Sequence, residues 1–210
     1  MLLIKHSARL SLLFGTLLAL LLLQSCVSTP SIKAPIESPS QHLYQQHLKN
    51  VGSIQQFSLQ GKIGIQTENK GFSGSLNWQH DTASDNIALF SPLGSQIASI
   101  KKTAEQVTLE DANGNTISAT DAESLTLNTL GWQLPLTGLA DWAIGRPTNS
   151  PIQNIQWNEH GQITHLVQDG WDIECDEYAD FSGYSLPNKL YLRSPKVNIK
   201  LIVKQRDSTN

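Results

Sequence analysis

The chain has 210 residues, 39 % of them apolar and only 16 % charged, with 15 basic and 18 acidic side chains. That length suits one ordinary domain, and the periodic apolar content excludes a disordered chain. The missing basic excess argues against nucleic acid as a partner.

Residues 1–25 read as a secretory signal. Lys5, His6 and Arg9 precede an uncharged run over residues 10–23. At ~1.5 Å per residue that run reaches about 21 Å, short of the ~30 Å a membrane-spanning helix must cross. A basic segment followed by an apolar stretch of this kind is exported and cleaved. No later apolar run approaches membrane-spanning length. Removal of Lys5 and Arg9 leaves 13 basic against 18 acidic residues, a net charge of −5.

The apolar run closes on Leu22-Leu23-Gln24-Ser25-Cys26. This resembles the lipobox of bacterial lipoproteins, in which cleavage leaves the cysteine first and lipidated. By that resemblance Cys26 carries diacylglycerol on its sulfur and an acyl group such as palmitate on its amine. Val27 and Ser28 follow, rather than Asp, which by the same analogy directs the protein to the outer membrane. Several acyl chains at ~0.8 kcal/mol per methylene form a lasting anchor. Residues 26–40, with Pro30, Pro35 and Pro39, form a tether. A helix is expected from Gln41 to about Val51, burying Leu43, His47, Leu48 and Val51.

From Phe57 the apolar period becomes two. Phe57, Leu59, Ile63 and Ile65 alternate with polar residues, then Phe72, Gly74, Leu76 and Trp78, Ile87 and Leu89, and Val107 and Leu109. Asn113-Gly114 marks a hairpin before Ile117 and Ala119. The pattern resumes at Ile155/Trp157, Ile163/His165/Val167, Trp171/Ile173, Leu190/Leu192 and Val197/Ile199/Leu201/Val203, with His160-Gly161 as a turn. Many short strands with short links describe one antiparallel sheet, strongly curved or nearly closed. Thr120-Asp-Ala-Glu123 reads as a capping box opening a helix over Ala122–Leu130, with Leu125 and Leu127–Leu130 as buried positions. Leu134-Pro135-Leu136 leads into a second helix, Gly138–Ile144, ended by Gly145 and Pro147. The interior is either packed or hollow. Gly61, Gly64 and Gly74 mark curvature or the close approach of a ligand.

Catalytic and cofactor signatures are missing. The chain has no Gly-x-Ser-x-Gly, His-Glu-x-x-His, Cys-x-x-Cys or phosphate-binding glycine loop, so no catalytic residue, metal or cofactor is assigned. Cys175 shares a strand face with Trp171 and Ile173 and reads as a small buried hydrophobe. Asp172, Glu174 and Asp176 fall on the opposite, solvated face, and His165 reads as a core residue satisfied by a hydrogen bond. Ser91-Pro92-Leu93-Gly94 interrupts the alternation with a turn. Its leucine either folds back on the sheet edge or is held out towards a bilayer or an apolar partner.

Taken together, these segments resemble the LolB family of outer-membrane lipoprotein receptors and insertases. The resemblance runs through the lipobox at Cys26, a helix leading into Phe57-Ser-Leu-Gln-Gly-Lys-Ile63, the Ser91–Gly94 loop, Thr120–Glu123 and Leu134–Leu136. Leu139-Ala-Asp-Trp-Ala-Ile-Gly-Arg-Pro147 is its most specific part. It implies an incomplete, half-open antiparallel β-barrel of about ten or eleven strands, with a helical lid over an apolar cavity, formed by a single domain over residues 41–210. It also implies a monomer, not an enzyme, that takes acylated lipoproteins from the periplasmic carrier LolA and inserts them among outer-membrane phospholipids. Leu93, flanked by Pro92 and Gly94, corresponds to the family's membrane-inserting loop. Strand parity suggests Phe72, Leu76, Trp78, Ile87 and Leu89 as the acyl-chain lining. The alternative is a passive outer-membrane lipid-binding or lipid-sensing lipoprotein, which needs the cavity but not Leu93.

Overall fold

The structure, a computed structural model, describes residues 39–209, with side chains described as far as residue 207. The signal segment, Cys26 and nearly all of the tether lie outside the described residues. Helix α1 spans Pro39–Val51, beginning two residues before the expected Gln41. Strands β1 (Gln56–Thr67), β2 (Gly71–His80), β3 (Ser84–Phe90), β4 (Gln96–Thr103), β5 (Val107–Asp111) and β6 (Thr116–Ala119) follow. Helices α2 (Ala122–Leu130) and α3 (Leu139–Ala143) come next, then β7 (Ile152–Trp157), β8 (Ile163–Gln168), β9 (Trp171–Phe181), β10 (Tyr184–Arg193) and β11 (Val197–Thr209).

The eleven strands of the described residues form one antiparallel sheet in the order β6-β5-β4-β3-β2-β1-β11-β10-β9-β8-β7. It consists of two meanders joined where the first strand pairs with the last, Ile65 opposite Ile199 and Ile63 opposite Leu201. Edge strands β6 and β7 do not pair with each other, so the sheet stays open. The chain between them must travel from one edge to the other, and it does so over the apolar face. Leu125, Leu134, Leu136, Leu139, Trp142 and Ile144 are buried in one cluster with the inward side chains of the strands. Helix α2 meets β5 and β6, while α3 and α1 meet β10.

Local chemistry explains the helix ends, with one correction. Asp121, not Thr120, is the N-cap of α2; it has extended backbone and its carboxylate accepts the Glu123 N–H at 3.1 Å. Glu123 is therefore free of a capping box, and its carboxylate accepts instead from the Thr137 N–H at 3.2 Å and Oγ1 at 2.9 Å. At the other end Gly131 adopts φ +86°, a conformation open to glycine without strain, and its N–H reaches the Leu127 carbonyl at 3.0 Å.

Several faces differ from the expected ones. In α1, Tyr44 is buried rather than Leu43, because its ring stacks on Trp157 with centroids 4.4 Å apart. In α2, Leu127 is exposed while Thr126 is fully buried, its hydroxyl accepting the Leu134 N–H at 3.1 Å. In β8 a register shift opposite Gln156/Trp157 inverts the alternation. Ile163, Leu166 and Gln168 face inward. His165 therefore leaves the core and lies 3.3 Å from the Asp172 carboxylate on the outer face. A second shift at Gln60/Gly61 turns Arg206 inward, opposite Leu59.

Candidate functional site

The turn between β3 and β4 holds Leu93 away from the protein. The Gly94 N–H donates to the Ser91 carbonyl at 3.0 Å, and the Ser91 N–H donates to the Ser95 carbonyl at 2.8 Å. The Ser95 N–H reaches the Ser91 hydroxyl at 3.2 Å. Pro92 fixes one backbone torsion of the turn, and Gly94 supplies φ +89°. A short loop tied three times at its base cannot swing its tip back, so Leu93 is 96 % exposed. The remaining exposed large apolar residues among those described reach at most 47 %, at Ile117. By strand register, Ile117 and Ile152 sit at the same end of the sheet as Leu93.

The five residues named from parity fall in two groups. Leu76 opposes Leu89 and Trp78 opposes Ile87 across the β2–β3 ladder, and these four are at most 2 % exposed. Trp78 is fixed at its polar end: its indole N–H donates to the buried Asp85 carboxylate at 2.9 Å. Asp85 also meets His80 Nδ1 at 2.7 Å and Lys102 Nζ at 3.5 Å, so this inward carboxylate is fully answered. Phe72 stands apart, half-buried towards the Leu93 end, with its ring stacked on Trp132 of the α2–α3 connection at 5.1 Å. Covered by α2, α3 and their connection, the apolar face packs as a core in this conformation.

The glycines divide in the same way. A Cβ at Gly74 would lie 2.1 Å from the Phe90 carbonyl oxygen and 2.6 Å from the Phe72 ring, so this glycine allows strand and ring to approach closely. Gly64 lies on the outer face, out of phase with the buried Ile63 and Ile65, and a Cβ there would touch nothing within 4 Å.

A groove of about 580 Å³ opens at the Leu93 end, between Gln66–Lys70, Ser194–Asn198 and the end of α2. Thr67, Glu68, Asn69, Lys70 and Lys196 make its walls polar, which suits water better than an acyl chain.

The amide of Gln168 escaped the sequence reading because a polar residue on a strand defaults to solvent. It is completely buried. Its Oε1 accepts from the Thr148 N–H at 2.9 Å and the Trp142 indole at 3.3 Å, and its Nε2 donates to the Ser150 and Thr148 carbonyls at 2.7 and 3.2 Å. This clamps the exit from α3 to β8. Cys175 is buried beside Tyr178, and burial raises its thiol to about 12, far from the range of an activated nucleophile.

The profile of the family described as "Outer membrane lipoprotein LolB" matches residues 55–205. An outer-membrane lipoprotein LolB from Thiobacillus denitrificans is 36 % identical over 146 residues, spanning 70 % of this chain and 77 % of that protein. One from Pseudomonas syringae is 30 % identical over 183 residues, or 87 % of this chain and 89 % of its own length. Among solved structures, a LolA superfamily protein from Nitrosomonas europaea superposes with a TM-score of 0.51 at 8 % identity, over 80 % of this chain and 94 % of that one. That likeness concerns the fold alone. With an open eleven-stranded sheet and a family match over most of its length, the chain belongs to the outer-membrane lipoprotein LolB family.

Proposed function

We propose that this protein accepts acylated lipoproteins from the periplasmic carrier LolA onto its covered apolar face and passes them into the inner leaflet of the outer membrane. The observation that carries the reading is Leu93, 96 % exposed on a braced turn at one end of a sheet whose inner face is apolar. A sixteen-carbon chain represents on the order of 12 kcal/mol of transfer free energy, so it must be sheltered in water. Phe72, Leu76, Trp78, Ile87 and Leu89 supply that shelter once the covering connection moves aside. The α2 side is the part that moves, because Gln168 holds the segment after α3. Transfer then runs downhill through affinity, each 1.4 kcal/mol giving a tenfold bias.

In this reading Leu93 acts last. Burying one leucine in the bilayer contributes about 1.5–3 kcal/mol, enough for a transient contact but not for attachment. Attachment belongs to lipidated Cys26, whose tether keeps the molecule at the membrane. No chemical step is required. The buried Cys175 thiol, raised to about 12, offers no nucleophile for lipid hydrolysis.

The test mixes carrier loaded with an acylated lipoprotein and liposomes bearing the full-length natural chain or Leu93→Glu. Acceptance by both, with delivery to the bilayer lost only in Leu93→Glu, is the expected result. Equal delivery by both removes Leu93 from the mechanism. Acceptance by neither overturns the reading and leaves a passive lipid-binding lipoprotein.

A further inference from the structure

The last part of β11 carries a cation that the fold leaves unanswered. Pairing between β10 and β11 extends only to Lys189 opposite Ile202, whereas β11 stays paired with β1 as far as Thr209. Arg206 sits beside this seam on the inner face, 5 % exposed. Its Nη2 donates to the Pro187 carbonyl at 3.2 Å, and its guanidinium lies 5.3 Å from the centre of the Phe181 ring. Its Nε and Nη1 are buried without a hydrogen-bond partner, and no carboxylate pairs with it among the described residues. On β10, next to Pro187, the Asn188 side-chain oxygen is likewise buried and unpartnered.

Burial lowers Arg206 to about 10, so it remains a cation at neutral pH. A charge removed from water without a counter-charge is strongly unfavourable, and an apolar side chain of similar length would pack the same space without that cost. The other buried charge of the sheet, Asp85, has three partners. Arg206 therefore has the character of half a site. The surroundings define the other half: Phe181, Pro187 and Leu59 are apolar, the nearby Tyr178 phenol is neutral and already donates to the Ile163 carbonyl at 2.8 Å, and the two free guanidinium nitrogens call for an acceptor that carries negative charge.

We propose that Arg206 is the head-group site for an anionic amphiphile, a carboxylate or phosphate borne on an apolar body, whose oxyanion accepts from the free guanidinium N–H groups at the β10–β11 seam. The occupant is chemically distinct from an acylated lipoprotein, whose acyl groups are bound as uncharged esters and amides. This site goes beyond the acceptor role, and the transfer assay above reads that role separately.

The experiment titrates the full-length chain in a non-ionic maltoside detergent with octanoate, octyl phosphate, octanol and inorganic phosphate, followed by calorimetry. The natural chain is expected to bind octanoate or octyl phosphate at least tenfold more tightly than octanol. In Arg206→Met that ratio falls below twofold, and Arg206→Lys retains part of it. Tighter octanoate points to a fatty-acid carboxylate, and tighter octyl phosphate to a phospholipid. Inorganic phosphate binding as well as octyl phosphate overturns the amphiphile. Equal binding of octanol and both anions, or a ratio retained in Arg206→Met, overturns the site. Arg206→Met is expected to unfold at no lower temperature than the natural chain. Should it fail to fold, the natural chain's own ratio of anion to octanol binding still decides.

Discussion

The two meanders of the sheet meet the same demand, an apolar inner face, by different means. From Phe57 to Leu109 the inward positions are almost unbroken apolar residues, and the one inward charge, Asp85, has partners on three sides. From β7 to β11 the alternation is shifted by bulges, and Asp169, Glu177 and Ser182 take positive φ without being glycine. Gln168, Cys175 and Arg206 face inward there, with His47 of α1 packed edge-on to Tyr178 at 6.0 Å. The first half is an almost continuous apolar core face. The second is a polar framework that fixes α1 and the connection from α3.

Mutations can sharpen that contrast. The largest expected effect is in the first half: Leu89→Ala, at a position with no exposure, should lose about 3 kcal/mol in denaturant unfolding. A loss under 1 kcal/mol would mean that the apolar face is loosely filled, as a partly hollow interior would be. In the second half, Gln168→Leu strands the Trp142 indole and the Thr148 and Ser150 backbone groups, and should cost about 2 kcal/mol. It should also expose residues 146–151 to amide exchange before the rest of the sheet. Uniform exchange across the chain would refute the clamp.

A smaller effect is the pH response of the second half. Burial lowers the His47 pKa below its usual 6.5, with a hydrogen bond to the Gly145 backbone opposing it. The unfolded chain therefore binds the proton first, so stability is fully present above pH 6.5 and declines as pH falls from there towards the lowered value. Melting temperatures between pH 7.5 and 5 should fall for the natural chain and fall less for His47→Gln. Parallel curves would assign the acid response elsewhere. Smallest of all, Leu93→Glu should leave stability within about 0.5 kcal/mol, because a 96 % exposed side chain has little to lose. That value, set beside Leu89→Ala four residues earlier, separates a leucine that packs the core from one that contributes nothing to packing.

Much of this was legible in residue order. Period-two alternation located the strands and the inward pairs Leu76/Leu89 and Trp78/Ile87, since neighbouring side chains on a strand point to opposite faces. Asn113-Gly114, His160-Gly161 and Ser91–Gly94 located turns, because proline and glycine fix or free backbone torsions without outside help. Those are local rules. The orientation of Leu93 was not local: only the three hydrogen bonds closing its turn decide that it points outward. The inward turn of Gln168 and Arg206 was also hidden, since one bulge residue inverts the parity of everything beyond it: the bulge before Gln168 lies within the β7–β8 hairpin, and the one before Arg206 arises from pairing with β1 at the other end of the sequence. The burial of Tyr44 in place of Leu43 depends on Trp157, more than a hundred residues away along the chain. The sequence by itself determined which faces are apolar and where the chain turns; the tertiary structure decided which polar groups those faces enclose, because enclosure depends on the register that paired strands settle into, whether neighbours such as β7 and β8 or strands as far apart in the chain as β1 and β11.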